Sequence, residues 1–218
     1  MPPSPDPSPS EAMRKQPVQA RAQRTIEAIF EATAQIVDSE GEAGLSTNKV
    51  ARRAGFSIGT LYQYFPTKEA ILSAMIRRQR DQVQVDIQAM LDDAVARQRP
   101  VPGVVRDLVR MLVESFGAGP PARRAMVRLG WRLDHHDNIA QAMREGAERN
   151  AVALAQLTDP RVRPPTPAMM FVATRAVMGA IRSASLEASP LLGTRAFEDE
   201  LVRMAWGLLA VQAEVPDD

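Results

Sequence analysis

Between Thr47 and Lys68 the chain gathers side chains suited to hydrogen bonding rather than to bond-making chemistry: Thr47, Ser57, Thr60, Tyr62, Gln63 and Tyr64, with Gly59 among them and Lys68 closing the group. Hydroxyls and an amide can pair with base edges or phosphate oxygens, a glycine lets a partner come close to the backbone, and a lysine can neutralise a phosphate. No acidic residue interrupts the stretch from Ser46 to Thr67. Such a set suits an anionic polymer.

These groups are useful only if short helices hold them on one side, and LSTNKVARRAGFSIGTLYQYFPTKEAI (Leu45 to Ile71) reads that way. Thr47 is expected as the N-cap of a helix to about Ala54, with Val50, Ala51 and Ala54 turned inward so that a second helix can cross closely. Gly55 supplies the turn and Ser57 caps the next helix. At about 100° per residue, Ile58, Leu61 and Phe65 fall on one side of that helix, and Gly59, Thr60 and Gln63 on the other. Tyr62 and Tyr64 flank the free side. Pro66 ends the helix, Thr67 caps a third, and Lys68 sits in its first turn. A cation is disfavoured beside the positive end of a helix, so an anionic partner such as phosphate is the simplest reason for it. The layout is that of a helix-turn-helix DNA reader. Two small helices in a purely structural core would explain neither Lys68 nor the absence of acid from the open face.

The stretch from Ile26 to Met75 resembles the DNA-binding domain of the TetR (tetracycline repressor) family. The matching residues are Thr47, Val50, Ala51, Ala54, Gly55, Ser57, Gly59, Thr60, Leu61, Tyr62, Tyr64, Phe65, Lys68 and Leu72. The resemblance implies that Thr47, Tyr62 and Lys68 contact phosphates, and that Ser57, Gly59, Thr60, Gln63 and Tyr64 lie in or beside the major groove. Ile58 departs from the pattern, since relatives often carry a polar or basic residue there.

Charge distribution agrees. The whole chain of 218 residues carries +1, but Glu11 to Arg80 holds 11 basic and 7 acidic residues, whereas Asp81 to Asp218 holds 16 and 18. The positive excess sits with the motif. Arg14, Lys15, Arg21 and Arg24 flank the first helix and are offered as further DNA contacts; Arg52 and Arg53 are read as solvated surface. There is no cysteine, which excludes disulfides and thiolate metal sites. No apolar run could cross a bilayer, and no basic-then-hydrophobic leader is visible, so no membrane partner is expected and the protein is read as cytoplasmic.

The expected fold is all-α, with about nine helices. Residues 1–18 form a disordered, Pro/Ser-rich arm, residues 19–68 the helix-turn-helix domain, and residues 69–218 a helical domain for ligand binding and dimerisation. From Arg21 to about Ser39, the stripe Ile26, Ile29, Phe30, Thr33, Ile36 and Val37 makes a helix that braces the reading pair. From Thr67 to about Gln98 there is no Gly or Pro, so one long helix leaves the DNA-binding module as a lever. Breaks follow at Gly117 to Pro121, Asp134 to Asp137, Pro160 to Pro167 and Pro190 to Gly193. No segment alternates as a strand would.

The last two helices, about Ala168 to Ala188 and Thr194 to Gln212, carry near-heptad apolar faces, with Gly179 inside a small-residue stripe. They are read as halves of a four-helix homodimer interface, which would pair two reading helices on a palindromic operator of double-stranded DNA. TetR relatives dimerise in this way. Met111, Leu112, Phe116, Met126, Trp131 and Met143, with Met170, Phe171 and Met178, could line a cavity for an apolar or aromatic small-molecule effector. A stripe of this kind is more often plain core, and the pocket reading comes mostly from what the resemblance implies.

Asp134, His135, His136 and Asp137 look like metal ligands, but adjacent side chains on a helix diverge by about 100°, so a helix junction capped by Asp134 or Asp137 is expected instead. No cofactor is expected. Nothing supplies a paired nucleophile and base, a phosphate loop or a cofactor fingerprint, so no enzyme is expected either. The chain is read first as a ligand-released repressor; the alternatives are a DNA-binding organiser with no effector and, remotely, a metal-dependent enzyme using the Asp134 to Asp137 group.

Overall fold

The computed structural model describes residues 9–117, 121–133 and 136–211. Among these residues there are nine α-helices and one 3-10 turn, and no strand beyond an isolated bridge between Val162 and Ala210. The helices are α1 (Pro9–Glu40), α2 (Thr47–Ala54), α3 (Ile58–Tyr64), α4 (Lys68–Ala96), α5 (Val101–Phe116), α6 (Pro121–Leu133), α7 (His136–Gln156), α8 (Pro167–Leu186) and α9 (Arg195–Leu209). The fold is all-α, as the sequence leads one to expect. Helix α1 starts at Pro9 and so takes in part of the stretch assigned to an arm; residues 1–8 lie outside the described residues.

The chain divides into two units, up to Met75 and from Ile76 onward. The division falls inside α4, about two turns after the start of the helix, where the sequence placed the boundary. Helix α4 has 29 residues without a break, about 43 Å at the usual rise per residue.

In the first unit, Ile29, Ala32, Thr33, Ile36 and Val37 form the buried stripe of α1, at i, i+3, i+4 and i+7 spacing. Thr33 is tolerated there because its hydroxyl donates to the Ile29 carbonyl at 2.8 Å. Helix α2 packs on α1 and buries Val50 and Ala51, α3 packs on α2 and buries Leu61, and Ile71 and Leu72 of α4 complete the buried set.

In the second unit, α5 contacts α8 and α9, and α7 contacts α8. Val101, Val105, Val109 and Val113 recur every four residues along α5 and join Val177 and Ile181 of α8 and Leu201 and Leu209 of α9 in one core. Thr166 and Thr194 cap α8 and α9, accepting from the amides of Met169 at 3.2 Å and Phe197 at 3.3 Å. Arg106 on α5 donates to Asp199 on α9 at 2.6 Å. That hydrogen bond, reinforced by the charge of the same guanidinium and opposed by partial desolvation, holds the Asp199 carboxyl below its ordinary value. No helix among the described residues is long and apolar enough to cross a membrane.

The Asp134 to Asp137 stretch does fall at a helix junction, since α6 ends at Leu133 and α7 begins at His136. Asp134 and His135 lie outside the described residues, as do the side chains of His136 and Asp137. Among the described residues no group of three His, Asp or Glu could hold a metal ion.

Candidate nucleic-acid interface and ligand cavity

The reading pair is assembled by caps. Helix α2 is capped by Ser46, whose hydroxyl accepts from the Lys49 amide at 3.3 Å, and not by Thr47 as expected. Of two adjacent hydroxyl residues, Ser46 takes the extended backbone a cap requires, which leaves Thr47 as the first helical residue with its side chain available. That hydroxyl lies 3.3 Å from the Tyr62 hydroxyl on α3, so two side chains expected to touch phosphate stand together.

At the other end of α2, Gly55 adopts φ 77° and ψ 25°, a left-handed conformation that a Cβ would strain. Its amide reaches the Arg52 carbonyl, and the Phe56 amide reaches the Ala51 carbonyl at 2.9 Å, so the free carbonyls of the helix end are satisfied as the chain reverses. Arg52 and Arg53 are exposed in the last turn of α2, where positive charge complements the helix dipole. Ser57 caps α3, accepting from the Thr60 amide at 3.1 Å, and its oxygen lies 2.9 Å from the Thr60 hydroxyl.

Helix α3 is anchored from beneath. Leu61 is completely buried and Phe65 is buried against Phe30, with ring centroids 5.8 Å apart. Ile58 is half-buried, so the anchoring falls mainly on Leu61 and Phe65. On the other side Gly59, Tyr62 and Gln63 are exposed, and Thr60 and Tyr64 are half-buried. A Cβ built on Gly59 would meet only the Ser57 hydroxyl, at an ordinary 3.8 Å. The protein's own packing therefore does not require glycine there, although glycine in a helix costs about 1 kcal/mol relative to alanine.

Thr67 caps α4 by accepting from the Ala70 amide at 3.1 Å. Lys68 follows as the first helical residue, half-buried, and makes no ion pair with any described residue. Lys49 behaves differently, being paired with Glu40 at 2.5 Å. The hydrogen bond from Lys49, then its charge and those of Arg53 and Arg52, lower the Glu40 carboxyl below its ordinary value. Of the amino-terminal basic group, Arg21 and Arg24 are exposed on α1; the side chains of Arg14 and Lys15 lie outside the described residues.

The second unit contains a cavity of about 130 Å³ between α4, α5, α6, α7 and α8. Of the side chains expected to line a pocket, Phe116, Met126, Trp131, Met143 and Met178 are brought together here, with Leu112. Phe116 and Trp131 form a tilted aromatic pair, centroids 5.8 Å apart. Met170 lines an adjoining cavity of about 100 Å³, which shares Leu108, Leu112, Asn150, Thr174 and Met178 with the first. Met111 lines neither and packs instead beside Val83, Ile87 and Leu91, while Phe171 is 54% exposed on α8. Both follow from helix rotation: Met111 is one residue short of the inward Leu112, and Phe171 is one residue past the buried Met170.

Sequence reasoning missed the polar members of the wall, among them Gln84, Arg149, Asn150 and Thr174. The available signal was a polar residue at an inward helical position, such as Thr174 between Ala173 and Val177.

Residues 29–75 match the family described as bacterial regulatory proteins, tetR family. Residues 29–75 therefore form a TetR-family domain. Relatives of the chain include the HTH-type transcriptional regulator EthR of Mycobacterium tuberculosis, 28% identical over 98 residues, 45% of this chain and 44% of EthR. The chain thus spans less than half the length of that relative. The nucleoid occlusion factor SlmA of Glaesserella parasuis is 26% identical over 149 residues, 66% of this chain and 69% of SlmA. Among solved structures, the fatty acid degradation regulator FadR of Bacillus halodurans superposes with a TM-score of 0.61 at 16% identity, covering 84% of this chain and 95% of FadR. The multidrug binding protein EbrR in complex with malachite green does so with a TM-score of 0.56 at 20% identity, covering 85% and 98%. These structures share the fold of this chain over most of its length.

Proposed function

We propose that this TetR-family chain is a cytoplasmic, homodimeric, ligand-responsive transcriptional regulator that represses by binding a two-fold symmetric operator. A small apolar or aromatic molecule in the cavity of the second unit releases it. The observation that carries the DNA-binding half is the open face of α3, polar, free of acid, and bare of a side chain at Gly59 where the fold would accept one. In this reading Gln63, Tyr64, Thr60 and Ser57 address the major groove around Gly59, while Thr47, Tyr62 and Lys68 hold phosphates on either side.

A single seven-residue reading helix offers few base contacts, so two copies are needed for a specific site. The second copy is assigned to the outer face of α8 and α9. Phe171 and Val172 are 54% and 48% exposed, Leu186 and Met204 each 37%, and a Cβ on Gly179 would meet nothing within 4 Å. Exposed apolar side chains beside an open glycine suit close packing of helices from a partner.

Ligand response is assigned to α4, because Val83 and Ile87 line the cavity and the same unbroken helix begins at Lys68. A ligand that fits best when the reading helices are wrongly spaced shifts the population away from the DNA-bound form. EbrR, which shares the fold, is a multidrug binding protein, and this supports an organic effector.

A DNA-binding organiser without effector is the second reading. The match to a nucleoid occlusion factor favours it, and the apolar cavities count against it. Selection of bound fragments from random DNA with the purified protein tests the proposal. A two-fold symmetric consensus is expected; an asymmetric consensus, or none, overturns the dimeric repressor. An effector that raised operator affinity would overturn release.

A further inference from the structure

The cavity wall carries hydrogen-bonding groups that the protein does not use. Trp131 Nε1, Arg149 Nε, Asn150 Oδ1 and Thr174 Oγ1 are each buried and each lack a hydrogen-bond partner among the described residues. All four residues line the first cavity, and Asn150 and Thr174 also line the second. Buried polar groups are normally paired, so four along one wall are an exception that calls for a reason.

Their chemistry is one-sided. The indole and guanidinium nitrogens only donate, the threonine hydroxyl can donate, and Asn150 can turn either end of its amide to the cavity. Arg149 brings a full positive charge. Its described hydrogen bond is to a neutral group, the Gln84 amide oxygen, at 3.0 Å. No aspartate or glutamate is among the described lining residues. Water can satisfy a hydroxyl or an amide, but it cannot neutralise a guanidinium in an apolar surround.

We infer that the effector is an amphipathic monocarboxylate whose carboxylate is held by Arg149, Asn150 and Thr174, and whose ring or short chain lies against Phe116 and Trp131. The inference rests on the ligand-responsive reading above and names the chemical class of its ligand. Size agrees. An apolar cavity of about 150 Å³ admits one benzene ring, and this one measures about 130 Å³, with about 100 Å³ more in the adjoining cavity. Because Asn150 and Thr174 border both cavities, a head group there can serve a body in either.

The test is isothermal titration of the full chain with matched acids and amides: 3-phenylpropanoate against 3-phenylpropanamide, and octanoate against octanamide. Each acid is expected to bind about 10- to 100-fold more tightly than its amide, the worth of a charge-assisted hydrogen bond. In Arg149→Met that preference should vanish through loss of acid affinity while amide affinity holds. Thr174→Val, which keeps the side-chain shape, should weaken the acids less, and it serves if Arg149→Met does not fold. Amides that bind as well as acids, a preference that survives Arg149→Met, or no binding by either class overturns the inference. Release of selected operator DNA is followed in the same samples. Acids that bind as described without releasing DNA leave the ligand class of the cavity standing and remove its role as effector. Amides that bind and release DNA do the reverse.

Discussion

The unit up to Met75 and the unit from Ile76 onward use their polar side chains in opposite ways. In the first, a seven-residue helix buries Leu61 and Phe65 and turns Gly59, Tyr62 and Gln63 outward, so the partner must come to the surface. In the second, Trp131, Arg149, Asn150 and Thr174 turn their polar atoms inward beside Phe116 and Met143. A surface reader is a local object, built by two caps, one glycine turn and a few anchors. An internal cavity is a collective object, needing side chains from five helices. The first should therefore be sensitive to single anchors and the second to single polar groups.

The largest effect is expected at the anchor. Leu61→Ala, at a site with no exposure, should destabilise the first unit by about 2–5 kcal/mol and abolish DNA binding, while ligand titration of the second unit stays as it was. Equal damage to both would break the contrast. Next comes the reading face. Gln63→Ala should cost about 1–3 kcal/mol on the matched operator and relax preference at the contacted base, as measured by affinity across a panel of single-base variants. Gln63 is the sharper choice beside Thr60, whose hydroxyl already lies 2.9 Å from that of Ser57. Lys68→Ala should weaken all sequences alike and lower the slope of log affinity against log salt by about one. An unchanged slope would remove its phosphate role.

A smaller effect is expected on the acid limb of stability. The Asp199 carboxyl is held below its ordinary value by Arg106, so its contribution is full at neutral pH. It erodes once pH falls below the unfolded value near 3.9 and is gone below the lowered one. Asp199→Asn should flatten this part of the pH dependence in urea unfolding of the second unit.

The two units were also unequally legible in the sequence. Ser57, Gly55, Pro66 and Thr67 marked their caps and turns because each acts within four residues of itself, and the anchors followed from helical spacing. The shift of the α2 cap from Thr47 to Ser46 shows the limit, since two neighbouring hydroxyls are equivalent until the backbone chooses. The cavity was legible only in kind. Phe116, Trp131 and Met143 could be suspected from residue type, but a rotation of one residue separates Leu112, in the wall, from Met111, outside it. Of the polar wall only Thr174, at an inward helical position, left a local signal; Arg149 and Asn150 come from a second helix, and no local pattern encodes where the two meet.

The central claim is that the open face of α3 lies against DNA, and Gly59 tests it most directly. Gly59→Ala should stabilise the fold by about 0.5–1 kcal/mol, because a Cβ there meets only an ordinary contact with Ser57 and alanine favours the helix. The same change should weaken operator binding by tenfold or more, about 1.4 kcal/mol, because the added methyl holds the backbone away from the groove. Thermal unfolding and operator affinity measured on one preparation would then move in opposite directions. Operator affinity that holds or rises in the stabilised variant would contradict the account.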